Sequence, residues 1–115
     1  MLLKIVAQLK NGSIKNVVPF GSALPAAPYV VVKPEELPYG RGFRVIAHAA
    51  KGGNILLENY AMAEVITLLH GFTNTDRFGN RFTVKDTGEW TDVAAVSDDS
   101  TISMERLFYA PMLTR

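Results

Sequence analysis

Apolar residues recur along the chain with two different spacings, which predict helices in some segments and strands in others. In the segment 1–10, the spacing of Leu2, Val6 and Leu9 places all three on one side of a short helix. The residues Asn-Gly that follow, ending at Gly12, are typical of a helix end. We therefore predict a short N-terminal helix with one buried side.

The longest apolar segment is 55–69, where we predict the main helix. Asn54 is suited to cap its start, and Gly71 is suited to follow its end. Apolar residues cover about half of its circumference, and Leu56 and Tyr60 add apolar surface on the far side. One buried side is enough for a helix that packs on a sheet, so this excess predicts a second contact, either with the N-terminal helix or with a partner subunit.

The segment Tyr29–Lys33 is apolar at almost every position, which is typical of an inner strand that is buried on both faces. Pro28 and Pro34 stand on either side of it and are expected to set its ends. A brief strand is predicted over Asn16–Phe20, and the residues KPEELPYGRG, 33–42, are predicted to form a loop.

Alternation predicts a strand with two different sides over Phe43–Ala50, and Arg44 lies on the less apolar side. After the polar loop TNTDRFGNR, further strands with hairpin-like turns at TGE and SDDS are predicted over 82–86, 90–96 and 101–109. In the last of these, Arg106 shares a face with apolar residues. The whole chain, 1–115, is predicted to be one α+β domain with a mostly antiparallel sheet, one long helix packed on it and a short N-terminal helix.

Composition narrows the function classes. The 12 basic and 11 acidic residues are mixed along the chain and give a net charge of +1, which argues against a basic surface for nucleic acid. No apolar run has the length of a membrane helix, and the first residues lack a cleavage motif, so we expect neither a membrane span nor an export signal. The absence of cysteine excludes disulfides and cysteine-based zinc sites.

Candidate chemistry is sparse. His48 lies on a predicted strand and His70 at a helix end, and no third ligand stands at a recognisable spacing, so no metal site is predicted. The pair Asp98 and Asp99 lacks the calcium-loop pattern and is typical of a turn. The glycine-rich stretches do not fit a phosphate-binding loop. We predict a protein that is not an enzyme, with no catalytic residues and no cofactor.

The order of these elements resembles that of the tail terminator, or tail-completion, proteins of long-tailed bacteriophages. The resemblance covers almost the whole chain and lies in the arrangement of the segments LKNG, APYVVVKPEE, GFRVIAHAA, AMAEVITLLHG and WTDVAAVSDDSTISMERLFYAP. The segment FTNTDRFGNRFTVKDTGEW does not match the pattern. Neck and head-closure connector proteins are similar in architecture.

The resemblance implies a structural virion protein that assembles in the host cytoplasm. Six copies are expected to close into a ring that caps the tail tube, stops its growth and offers a docking surface to the head connector. The tail tube protein and the head–tail connector proteins are then its partners. Head-to-tail closure needs two different patches on each subunit, and we predict subunit contacts at Leu56, Tyr60, Arg44 and Arg106.

Two alternatives stay open. Within the same class, the chain is a neck or head-closure connector protein. In a different class, it is a small ligand-binding or regulatory α+β domain, which a concave apolar pocket with converging polar groups would favour.

Overall fold

The computed structural model describes residues 1–25, 29–50, 55–76, 78–93 and 101–111, without the side chains of 49–50, 55–61, 90–93 and 101–104. Its helices and strands, in chain order, are α1 (Leu2–Leu9), β1 (Val17–Pro19), β2 (Tyr29–Leu37), β3 (Gly40–Ala50), α2 (Ile55–Leu69), β4 (Thr73–Thr75), β5 (Arg81–Thr83), β6 (Lys85–Val93) and β7 (Thr101–Tyr109).

Five of these strands form the main sheet, in the order β1-β2-β3-β7-β6, and β4 pairs with β5 in a separate small hairpin. Only β1 runs parallel to its neighbour β2, and every other pairing is antiparallel. The predicted α+β class with a mostly antiparallel sheet is therefore confirmed, and the described residues contain two helices.

One face of the sheet, here called the core face, contributes to the hydrophobic core together with both helices. Alternation along β3 puts Phe43 and Val45 on this face, and α2 adds Met62, Val65 and Leu69 to the same buried cluster. On the opposite side, here called the second face, lie three further buried hydrophobic side chains outside that cluster: Tyr29, Val31 and Leu107. The predicted burial of the strand at 29–32 on both faces is confirmed.

Strand β2 is longer than predicted, and the expected loop at 33–42 is wrong. Both β2 and β3 continue through it to a two-residue turn. Pro34 does not end β2, and the reason lies in the backbone. The N–H of Val30 and the C=O of Val32 bond toward β1, so Pro34 directs its nitrogen to the same side, past the end of β1. A proline on such a free edge removes no ladder bond.

The predicted polar loop after α2 contains the hairpin of β4 and β5. Its turn is held by Asp76, whose Oδ1 accepts hydrogen bonds from the N–H groups of Phe78 at 2.8 Å and Asn80 at 3.0 Å. The hydroxyls of Thr73 and Thr83 add a cross-strand bond of 3.1 Å. Local side-chain capping of this kind builds a tight turn from residues that are polar in sequence.

The predicted turn at TGE is wrong, because Thr87–Glu89 form a bulge inside β6. Asp86 pairs with Phe108 and Trp90 pairs with Arg106, so β7 remains the partner on both sides of the bulge. Gly88 takes a positive φ of 81° there. The predicted turn at SDDS, residues 97–100, and the end of the strand predicted over 90–96 lie outside the described residues.

Helix α2 has the predicted bounds, and Gly71 follows it with a positive φ of 80°, as expected for a helix end. The proposed cap Asn54 lies outside the described residues, as does Pro28 before β2. Packing of α2 on the sheet along its whole length stays a prediction, because the side chains of 55–61 are not described.

Candidate subunit-contact surfaces

A cluster of charges on the second face, here called the acidic cluster, surrounds Arg44. The Nε atom of Arg44 lies 2.9 Å from Oε2 of Glu35, and its two terminal nitrogens lie 3.9 Å from Glu105 and 4.0 Å from Glu89. The carboxylates come from β2, β7 and the bulge of β6, so three strands meet at one guanidinium. The contact with Glu35 Oε2 is an ion pair without the alignment of a hydrogen bond.

This cluster carries more negative than positive charge. Three carboxylates share one guanidinium, and Lys33, on the same face, places its ammonium over the ring of Phe20 instead, 5.0 Å from the ring centre. Glu89 is 63% exposed. Tyr39 at the β2–β3 turn, 57% exposed, packs edge-on against Tyr109 of the same face. The second face is therefore acidic around Arg44, beside the exposed Tyr39, while Lys85 on the same face lies opposite Tyr109.

Arg106 makes a different kind of contact on the core face. Its Nε and one terminal nitrogen donate to the two carboxylate oxygens of Asp86, at 2.7 and 2.5 Å. The hydrogen bonds from Arg106 outweigh the effect of burial and hold the pKa of Asp86 below its ordinary value, while Asp86 raises the pKa of Arg106. The backbone N–H of Asp86 also donates to Nδ1 of His70 at 3.3 Å.

The structure thus places the two predicted arginines on opposite faces of the sheet. Arg106 was expected to reach an acidic residue across a subunit contact or to lie at an exposed sheet end, and its acidic partner is Asp86 of the same chain. Contacts of Arg44 and Arg106 with another subunit stay predictions. The side chains of Leu56 and Tyr60 lie outside the described residues.

An open groove lies at the end of the molecule where α1 begins. It has a volume of about 470 Å³ and is lined by Met1, Leu2, Leu3, Lys4, Arg41, Asp76 and Phe78. Two of its apolar lining residues are very exposed, Leu3 at 77% and Phe78 at 71%. We call this surface the α1 groove.

The exposed charges of the α1 groove are positive. Lys4 and Arg41 are both exposed, and neither forms an ion pair within the described part of the chain. Burial alone would raise the pKa of Asp76, but hydrogen bonds from the N–H groups of Asn80 and Phe78 lower it by more. The buried Asp76 carboxylate is therefore held ionised by its own turn, and the two exposed cations of the groove outnumber it.

The two histidines have structural contacts. The ring of His48 stacks on Tyr29, with centroids 4.5 Å apart, and His70 accepts the bond described above. Among the described residues, no group of three or more potential ligands is placed to hold a metal ion. None of the helices described combines the length and apolar character that a membrane crossing requires.

Sequence reasoning missed Leu3, Phe78 and Glu89. Leu3 lies off the predicted apolar stripe of α1, and Phe78 is an aromatic residue inside a polar loop, so each carried a signal of an exposed apolar side chain. No signal in the sequence indicated Glu89, because its position beside Arg44 depends on the bulge in β6.

Comparison of the chain with protein-family models, with curated proteins and with solved structures finds no significant match.

Proposed function

We propose that this chain is a structural virion protein that caps a bacteriophage tail tube. Several copies of the chain close into a ring on the last tube subunits. The number is six in the family that the chain resembles. The ring leaves no site for another tube subunit, so growth stops, and its other side receives the head connector. The chain works by association and not by catalysis.

The observation that carries the proposal is the central position of Tyr29–Val32. This segment is the core of the resemblance, and it is buried on both faces between β1 and β3 in a mostly antiparallel sheet. In the proposed ring, α2 packs across the core face along its whole length, and Leu56 and Tyr60 contact a neighbouring subunit.

The α1 groove bears on the alternative of a small ligand-binding domain. Its volume of about 470 Å³ is within the usual range for ligand sites. Such sites, however, bury most of their ligand, whereas the walls here are side chains that are 71% and 77% exposed. An open groove of this kind favours contact with a protein surface.

The proposal is tested in assembled phage. Mass spectrometry of purified tails should detect the chain, and deletion of its gene should give tails of uncontrolled length by electron microscopy. Tails of normal length that contain no copy of the chain would refute it. Normal tails that fail to join heads, with the chain located at the neck, would assign it to the connector proteins instead.

A charged variant of α2 sharpens this test. Leu56→Glu should leave the monomer folded but prevent capping, because an unpaired charge at an interface costs several kcal/mol. Leu24→Glu is the matched control, since Leu24 is an exposed leucine outside α2, 60% exposed, and it should cap normally. If Leu56→Glu also caps normally, α2 is not part of the contact.

A further inference from the structure

Two surfaces of this chain are complementary in charge, and each has exposed apolar side chains beside the charges. The acidic cluster on the second face has three carboxylates around one arginine, with Tyr39 next to it. The α1 groove has Lys4 and Arg41 on its rim and the exposed Leu3 and Phe78 as its walls.

From this complementarity we infer that the α1 groove of one copy binds the acidic cluster of a second copy. The carboxylates of Glu89 and its neighbours meet Lys4 and Arg41, and Tyr39 packs between Leu3 and Phe78. This contact deepens the proposed ring and rests on that proposal only for closure, since the contact itself follows from the two surfaces.

Their positions in the fold make the contact head-to-tail. Arg41 precedes Phe43 by two residues and so lies on the core face, whereas Arg44 and its carboxylates lie on the second face. Repeated from copy to copy, such a contact between two different surfaces generates a ring or an open chain, whereas a two-fold dimer would have to make it twice between the same two copies.

Among the described residues, the two cations on the rim of the groove form no ion pair with their own neighbours. Glu36 is the cross-strand partner of Arg41, but within the described residues the two side chains form no ion pair. Opposite charges on two exposed surfaces accelerate their encounter and select the correct orientation, and the effect weakens with salt.

Cross-linking tests the contact directly, because the natural chain has no cysteine. Equal amounts of two single variants, Phe78→Cys and Tyr39→Cys, are mixed and treated with a short bis-maleimide. The expected main product joins the two different variants. The matched control replaces Phe78→Cys by Phe20→Cys, another exposed aromatic, 61% exposed but outside the groove, and should give much less product.

Charge reversal provides the second readout, by sedimentation velocity of the purified chain up to its highest soluble concentration. The chain should self-associate, less so at high salt, and Arg41→Glu or Glu89→Arg alone should weaken association about tenfold or more. The double variant should regain much of it. A purely monomeric chain, or reversals without effect, would overturn the inference.

The cross-linking and tail experiments distinguish a wrong subunit contact from a wrong proposed function. A chain that caps tails but does not cross-link through Phe78→Cys and Tyr39→Cys assembles through other surfaces, and the inference is then wrong while the tail proposal stands. A chain that self-associates through these surfaces but is absent from tails gives the opposite result.

Discussion

The two faces of the sheet use arginine in opposite ways. On the core face, Arg106 donates two short hydrogen bonds to Asp86, and one positive charge is paired with one negative charge. On the second face, Arg44 is shared among three carboxylates at 2.9 to 4.0 Å, so the charges do not balance. The first arrangement completes the fold, whereas the second leaves charge for something outside it.

Bidentate geometry explains why the Arg106 pair is the structural one. A planar guanidinium that donates two parallel bonds fixes both strands that carry the pair, here β7 and β6 beside the bulge. Arg44 also donates to Oε1 of Glu35, at 3.4 Å, but its pairs with Glu105 and Glu89 are at 3.9 and 4.0 Å, and pairs of that length contribute little to stability. The comparison predicts large stability effects on the core face and small ones on the second face.

The largest expected contrast is between two aromatic side chains. Phe43 is fully buried and stacks on Phe108 of the neighbouring strand, with ring centroids 5.4 Å apart. Phe43→Ala should lower the free energy of unfolding by about 3–5 kcal/mol, through lost burial and the cavity left behind. Tyr39→Ala, on the exposed side, should change it by less than about 1 kcal/mol. Chemical denaturation measures both, and equal losses would contradict the division into two faces.

The next largest loss of stability is expected when a side-chain atom is added at Gly42. A Cβ at Gly42 would lie 2.5 Å from the backbone oxygen of Phe108 and 2.6 Å from Cδ1 of Leu37. Since a backbone atom cannot move aside as a flexible side chain does, Gly42→Ala should cost about 1–3 kcal/mol. Gly12→Ala is the control, because its Cβ would meet the flexible carboxylate of Glu64. A thermal unfolding curve for Gly42→Ala that matches the parent would show that β3 and β7 are less close than described.

The sequence predicted those parts of the fold in which local pattern and burial agree. The apolar spacing of α1 and the alternation along β3 determine which side is buried, the length of the apolar segment 55–69 indicates the helix α2, and the structure has those elements. The inner position of Tyr29–Val32 was predictable for the same reason.

The errors came from turns and edges, where long-range pairing decides the structure. Pro34 and the glycines near it have local preferences for a loop, but pairing with β3 keeps Lys33–Leu37 extended. The bulge at Thr87–Glu89 has the composition of a turn and differs from one only because β7 accepts the strand on both sides. Glu89 joined the candidate site through that bulge, so no sequence pattern could indicate it.

A smaller contrast compares the two arginines directly. Arg106→Gln should cost about 1–3 kcal/mol of unfolding free energy, because it leaves the partly buried Asp86 carboxylate without its charged partner. Arg44→Gln should cost less than about 1 kcal/mol, since its ion pairs are longer and shared. A double-mutant cycle of Arg106→Gln with Asp86→Asn isolates the coupling energy of the pair. A larger loss for Arg44→Gln than for Arg106→Gln would reverse the assignment of roles.

The smallest expected effect is the pH dependence of the Arg106 pair. The pKa of Asp86 is lower in the folded chain than in the unfolded chain, chiefly because Arg106 donates hydrogen bonds to the carboxylate. The stabilisation is therefore complete above the ordinary aspartate pKa of about 3.9 and is lost as pH falls through the lower, folded value. Acid titration of the unfolding free energy should show this loss below about pH 4.

In Asp86→Asn the loss should be smaller by about 1 kcal/mol, because only part of the dependence belongs to this carboxylate. Glu64 and Asp76, whose pKa values are also lowered by hydrogen bonds, contribute to the acid dependence in both proteins. An identical acid dependence in parent and variant would mean that the bonds between Arg106 and Asp86 do not stabilise the folded chain.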